Sequence, residues 1–145
     1  MSQTIVEIRT VSGTSLAVGS SGLRTATIDR SKESGGLGLG FNGGELLLLA
    51  IGGCYSNDIF REAAKLGITV KNVQIEVRAD WGGDPVRAQN VAFSVVVEAD
   101  AGEKEILDLI HRTDRVAEIP NSLRLGTEVK LATAQAIRSG KSVGR

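Results

Sequence analysis

Two stretches of the chain alternate between apolar and polar positions with period two. In residues 72–80, Val73, Ile75, Val77 and Ala79 interleave with Gln74, Glu76, Arg78 and Asp80, and in residues 90–98 the apolar set is Val91, Phe93, Val95 and Val97. That is the pattern of strands with one wet face. Trp81-Gly82-Gly83-Asp84-Pro85 between them predicts the turn of a long hairpin. Residues 45–66 follow a different rule. Leu46, Leu47, Leu48, Leu49, Ala50 and Ile51 leave no polar face, so the first half of a helix here is expected to be buried all round. Its second half becomes amphipathic, with Phe60, Ala63 and Ala64 inward and Arg61, Glu62 and Lys65 outward, and Gly67 stands where a helix C-cap prefers glycine. A second helix is expected over residues 102–117, carried by Ile106, Leu109, Ile110 and Thr113, with Glu103 in its first turn. Pro120 predicts a break, with a short helical restart over residues 121–125 and a last strand over 127–134.

Ahead of the long helix, β-prone runs at 4–11, 15–19 and 23–28 are separated by Ser12-Gly13 and Ser20-Ser21-Gly22, and predict a three-strand meander. Residues 29–44 hold six glycines between Gly35 and Gly44 and show no periodicity, the signature of a functional or mobile loop. The order is β-β-β, helix, β-β, helix, β, which is α+β and not the strict alternation of a doubly wound parallel sheet. No repeat or linker divides the chain, so residues 1–145 are expected to form a single domain, with 138–145 a polar tail.

Composition narrows the function. Lys plus Arg and Asp plus Glu number 17 each, so the net charge is zero, and aromatic residues are 3%. Neither nucleic acid nor an anionic membrane is therefore an expected partner. Glu7 and Arg9 interrupt the first residues where a secretory signal would need an apolar core, and the longest apolar run, Leu46 to Cys54, has nine residues. A membrane span needs about 20, so a soluble, cytoplasmic protein is expected. One cysteine and one histidine supply neither an internal disulfide nor a metal site, and no cofactor is expected.

Few residues carry chemistry. Cys54 follows Gly52-Gly53, a pair whose plausible gain is the close approach of another backbone, such as a second helix. The thiol is either a small core hydrophobe or a nucleophile. The second role requires a nearby cation, and Asp58 at i+4 opposes thiolate formation, so an activating arginine would have to come from elsewhere in the fold. Gly38-Leu39-Gly40-Phe41-Asn42-Gly43 fits G-x-G-x-x-G, but about ten loop residues separate it from the preceding strand, against the tight strand-to-helix turn of a dinucleotide site. A mobile loop explains it better. His111 shares a wet helix face with Arg112 and Arg115, and Glu103, Glu105 and Asp108 form a solvated face. Ser56, Ser122 and His111 lack the elbow that would make a triad.

Phe41-Asn42-Gly43-Gly44-Glu45, the apolar run to Ile51 and Gly52-Gly53-Cys54 resemble the hallmark segment of the OsmC/Ohr family, the osmotically inducible protein C and organic hydroperoxide resistance proteins. Cys54 stands nine residues after Glu45, as the family pattern has it, and the order of elements agrees over most of the chain. The resemblance implies an OsmC-like fold with antiparallel sheets around a buried central helix, in an intertwined homodimer with active sites at the subunit interface. It further implies a thiolate that attacks a hydroperoxide, a second cysteine that forms a disulfide with it, a dithiol reductant, and an arginine holding the thiolate. Arg24 is the best-placed arginine and Arg30 the next. The chain departs from the pattern at two points: Ala117 occupies the position of the second cysteine, and Gly44 that of the glutamate that orients the arginine in the Ohr branch. Two functions follow from this. One is a single-cysteine peroxidase using Cys54 and Arg24 with an external thiol reductant; the other is a non-catalytic dimer binding a small apolar ligand, with Cys54 structural.

Overall fold

The computed structural model describes residues 1–140. Strands β1 (Glu7–Thr10), β2 (Ala17–Ser21) and β3 (Arg24–Ile28) form an antiparallel meander in the order β1-β2-β3, as the three β-prone runs imply, except that Ser20 and Ser21, expected in a turn, pair within β2. Helix α1 spans Gly43–Leu66 and stops at Gly67, whose φ of 67° is the left-handed conformation glycine adopts without a Cβ penalty. Strands β4 (Thr69–Gly82) and β5 (Arg87–Asp100) form the long antiparallel hairpin, and helices α2 (Glu103–Val116) and α3 (Glu118–Arg124) close the described elements. The α+β class and the antiparallel sheets are as the sequence implied.

The hairpin alternates as expected, with Val73, Ile75, Val77 and Ala79 of β4 inward and the residues between them exposed. On β5 the pattern holds for Phe93, Val95 and Val97 but fails at Val91, which is exposed. A register shift causes this. Arg78 pairs with Ala92 and Asp80 with Gln89, so β5 carries one extra residue, and Asn90 there has a positive φ of 51°. Such a bulge reverses the phase of the side chains beyond it.

Tyr55, Ile59 and Ala63 of α1, Leu109 of α2, and Ala117 make the buried core, with Val73, Ile75, Phe93, Val95 and Val97 of the hairpin packed against it. The Tyr55 hydroxyl donates to the Ile110 carbonyl at 2.7 Å, and burial pushes its pKa up to about 12.

Several expectations are corrected. The first half of α1 is not buried all round in this chain: the hairpin, α2 and α3 cover one side, while Leu49 and Ala50 stand exposed on the other. In the second half Phe60 and Ala64 are exposed, and Glu62, expected outward, is 1% exposed. The chain breaks at Ala117, not Pro120. Pro120 lies in the first turn of α3, where its missing N–H deprives the helix of nothing. No strand forms at 127–134; residues 127–140 have no regular structure, and Val129, Leu131 and Ile137 are almost fully exposed. Of the expected polar tail, residues 141–145 lie outside the described residues.

Candidate functional site

The start of α1 explains half of the sequence signature. Asn42 is its N-cap: the side-chain oxygen accepts from the Glu45 N–H and the Glu45 carboxylate accepts from the Asn42 N–H, each at 2.9 Å. This is a capping box, and Glu45 serves it. A Cβ on Gly44 would come within 2.8 Å of Cζ2 of Trp81, so the indole at the end of β4 fills the space a side chain would need. Gly44 is glycine here for that reason, and the position offers no carboxylate.

The preceding loop is built around one side chain. Asp29 is buried, and its carboxylate accepts from the N–H groups of Arg30, Leu37 and Leu39 at 2.8, 3.0 and 3.1 Å. The backbone bond from Leu39, with those from Arg30 and Leu37, holds the carboxyl below its usual range against the opposing effect of burial. A backbone pair ties Asp29 to Phe41, and a Cβ on Gly40 would overlap the Thr27 carbonyl. The glycines of residues 35–44 thus include places where the backbone passes close to β3. The mobile loop expected from composition is instead a hydrogen-bonded one, and its glycines need no phosphate to account for them.

Cys54 lies mid-way along α1, half-buried, between the core side of the helix and its open side. Its thiol donates to Asp58 Oδ2 at 3.8 Å. Asp58 is itself buried, and its other oxygen, Oδ1, pairs with Arg61 Nη1 at 3.0 Å. The arginine nearest the thiol in this chain of contacts is therefore on the same helix, and it reaches the carboxylate. Arg61 also lies 3.5 Å from Glu62 and 3.6 Å from Glu118. Glu62 has two further cations, Lys65 and Arg112, each at 2.7 Å. Hydrogen bonds from Lys65 and Arg112 hold the Glu62 carboxyl down at about 2.

The glycine pair before Cys54 has two roles. A Cβ on Gly52 would stand 3.2 Å from Val77, so β4, and not a second helix, is the close neighbour there. Gly53 has nothing within 4 Å and belongs to the open side, with Leu49, Ala50 and Phe60. Two apolar hollows flank α1. One, of about 530 Å³, lies between α1 and β4 over Leu48, Leu49, Gly52, Val73, Ile75 and Val77. The other, of about 330 Å³, is lined by Leu47 and Ile51 of α1, Ala88, Val91 and Phe93 of β5, and Pro120 and Leu123 of α3, with Arg124 as its one charged residue. Leu47, Ile51 and Cys54 recur at helical spacing on one face, so the thiol stands one turn beyond this second hollow.

The remaining candidates are not brought to the thiol within this chain. Arg24 is the exposed first residue of β3, Arg30 is exposed at the start of the loop, and neither makes a side-chain hydrogen bond or ion pair among the described residues. His111 is exposed on α2. Ala117, at the position of the second cysteine, is fully buried. Among the described residues no group of three His, Cys, Asp or Glu side chains could hold a metal ion, and no helix is long and apolar enough to cross a membrane.

The sequence profile of the family described as OsmC-like protein matches residues 35–132. The chain belongs to the OsmC-like family. No curated protein sequence matches it. Among solved structures, an OsmC-like protein of Mycoplasma pneumoniae superposes with a TM-score of 0.74 at 17% identity, over 85% of this chain and 88% of that one. An organic hydroperoxide resistance protein of Legionella pneumophila gives 0.59 at 18% identity, over 86% and 90% of the two chains. Another of that description, from Elizabethkingia anophelis, gives 0.57 at 17%, over 85% and 90%. At these identities the likeness to solved structures speaks for the fold, which is OsmC-like.

The residues that sequence reasoning missed are Arg61 and Glu62. The spacing Cys54, Asp58, Arg61 (i, i+4, i+7) places all three on one helical face and was available as a signal. Glu62 gave none, because a charged side chain on an amphipathic helix is ordinarily outward, and Arg112, 50 positions on, joins Lys65 in pairing it inside.

Proposed function

We propose that this OsmC-like protein is a single-cysteine thiol peroxidase that reduces organic hydroperoxides in the cytoplasm, working as a homodimer. The observation that carries the proposal is the placement of Cys54: a half-buried thiol on α1, one turn from an apolar hollow of about 330 Å³. The hollow suits the organic part of a substrate, and the thiol is where the peroxide oxygen would then stand. The names of the Legionella and Elizabethkingia neighbours point to the same substrate class.

In this scheme the Cys54 thiolate attacks one oxygen of ROOH. An S–O bond forms, the O–O bond breaks, and ROH leaves after taking up a proton, with sulfur oxidised to the sulfenic acid. Ala117 supplies no second thiol. An external thiol therefore displaces water from the sulfenic acid to give a mixed disulfide, and a second thiol releases Cys54 and departs as the oxidised reductant. The homodimer is supported by the apolar side chains a single protomer leaves in solvent: Ile5, Val6 and Ile8 around β1, Leu49 and Phe60 on α1, and Val129 and Leu131 beyond α3. Arg24 serves the thiolate from across that dimer.

Asp58 favours a second reading, because a carboxylate at the thiol opposes its ionisation. In that reading the dimer binds a small apolar ligand and Cys54 is structural. One experiment separates the two. Consumption of cumene hydroperoxide is followed with excess dithiothreitol for the native chain and for Cys54→Ala. Loss of turnover in a variant that melts like the native protein supports the peroxidase; equal turnover by both proteins, or none by either, leaves the ligand-binding dimer.

A further inference from the structure

The peroxidase scheme needs a thiolate, yet the thiol's own hydrogen-bond acceptor is a carboxylate. Two negative charges at that distance would repel unless the carboxylate is already neutralised. Its neutralising partner is Arg61. Asp58 divides its oxygens, Oδ2 toward the thiol at 3.8 Å and Oδ1 toward Arg61 at 3.0 Å.

We infer that Asp58 and Arg61 act as an opposed pair of positioning residues that set the reactivity of Cys54, Asp58 holding the thiol proton and Arg61 offsetting the carboxylate charge. The inference rests on the reading of Cys54 as a nucleophile.

The surrounding charges decide whether Arg61 is free for this work. Three carboxylates compete for it: Asp58 at 3.0 Å, Glu62 at 3.5 Å and Glu118 at 3.6 Å. Glu62 is satisfied by Lys65 on α1 and Arg112 on α2, both closer to it than Arg61 is. Glu118 of α3 has 74% of its side chain exposed, so water screens its claim. Asp58 is buried and makes the shortest contact. The inward side chains of β4 against this helix, Ile75 and Val77, are apolar and add no charge. Arg61 therefore belongs mainly to Asp58, and three carboxylates are matched by three cations in the cluster. Arg61 acts through Asp58 and does not reach sulfur in the contacts described.

An opposed pair makes a prediction that a structural role does not: its two members, when removed, move reactivity in opposite directions. The experiment is the second-order rate of Cys54 alkylation by iodoacetamide at pH 7, on the full chain, with thermal melts alongside. The reagent is neutral, so its rate follows the thiolate fraction. Removing one neighbouring charge is expected to change that rate about three- to tenfold. Asp58→Asn is therefore expected to react about three- to tenfold faster than the native chain, and Arg61→Gln about three- to tenfold slower. Arg61→Lys, which keeps the charge, is expected to stay within about twofold of native.

Shifts in the same direction, no shift, or an Arg61→Lys as slow as Arg61→Gln would overturn the inference. If Asp58→Asn does not fold, the Arg61 variants decide alone, since that side chain is 43% exposed and its loss spares the core. Opposed shifts in a protein that consumes no hydroperoxide would sink the peroxidase reading and leave this inference standing. Turnover that depends on Cys54 but is indifferent to both residues would do the reverse.

Discussion

The hairpin half of the molecule and its two ends use similar residues to different effect. Where α1, α2 and the β4–β5 hairpin meet, Tyr55, Ile59, Ala63, Leu109 and Ala117 are buried and the charged Glu62 is paired by two cations. In β1 every residue is exposed, and Ile5, Val6 and Ile8 are more than half open, as are Val129 and Leu131 after α3. Both regions are rich in Ile, Val and Leu. The difference is that the first has its covering elements within one chain and the second does not. Apolar surface of that extent is what the proposed dimer would cover, so the comparison separates a half of the fold that covers its own apolar residues from one that, within this chain, does not.

The sharpest way to break that comparison is to truncate one buried and one open isoleucine. Ile59→Ala empties a fully buried site and is expected to cost about 2–5 kcal/mol, seen as a denaturant midpoint lower than that of the native chain at every protein concentration. Ile8→Ala should leave a dilute protomer nearly untouched and weaken self-association about tenfold or more, measured by sedimentation equilibrium. An Ile8→Ala whose assembly is unchanged would remove β1 from the proposed interface.

Acid tests the polar anchor of the self-sufficient half. Hydrogen bonds from Lys65 and Arg112 hold the Glu62 carboxyl at about 2, against an ordinary 4.5. A folded-state value below the unfolded one contributes stability that is complete above about 4.5 and lost as pH falls toward about 2. The chain should therefore lose stability over that window, and Glu62→Gln should be less stable at neutral pH with a flatter acid limb. Chemical denaturation at pH 6, 4 and 3 reads both; parallel acid limbs in the two proteins would mean the ion cluster does not anchor α2 to α1.

A smaller effect is expected where the loop meets the hairpin. Gly44→Ala drives a methyl to within 2.8 Å of the Trp81 ring, and overpacking of this kind costs about 1–3 kcal/mol. Trp81 is the one tryptophan, so its fluorescence reports the displacement directly. An unchanged emission spectrum with unchanged stability would show that the ring can leave without cost.

Much of this was legible in the sequence, and the failures share a cause. Val73, Ile75 and Val77 revealed β4 because a strand's period is local, and Gly67 revealed the end of α1 because its left-handed φ is a local need. The OsmC-like likeness came from Phe41 to Cys54, a stretch that from Asn42 onward is one cap and one helix. What escaped depends on distant residues. Glu62 is inside because Arg112 of α2 arrives there. Gly44 is glycine because Trp81 lies over it, and the glycine-rich loop is ordered because Asp29 gathers three of its N–H groups. The strand expected at 127–134 has the right alternation, Val129 and Leu131, but no strand edge among the described residues pairs with it. Of the candidate site, sequence supplied Cys54 and the proximity of Asp58; what it did not single out is Arg61, which stands on the same helical face and pairs with Asp58.

The capping box gives the finest cut between the two regions, because Asn42 sits at their junction, after the Asp29 loop and at the head of α1. Its side chain satisfies one N–H of the first helical turn, and the Glu45 carboxylate returns the bond to the Asn42 backbone. Asn42→Ala removes the first bond, and such a loss costs about 1 kcal/mol. The loss should also be local. The first turn of α1 carries Glu45 and Leu46, ahead of the core residues that begin at Ile51, so hydrogen exchange should quicken at the Glu45 and Leu46 amides while those around Tyr55 and Ile59 keep their protection. Faster exchange throughout α1 would mean that the helix head and the core open as one unit, and the division drawn between the two regions would then have to move to the N-terminal side of Asn42.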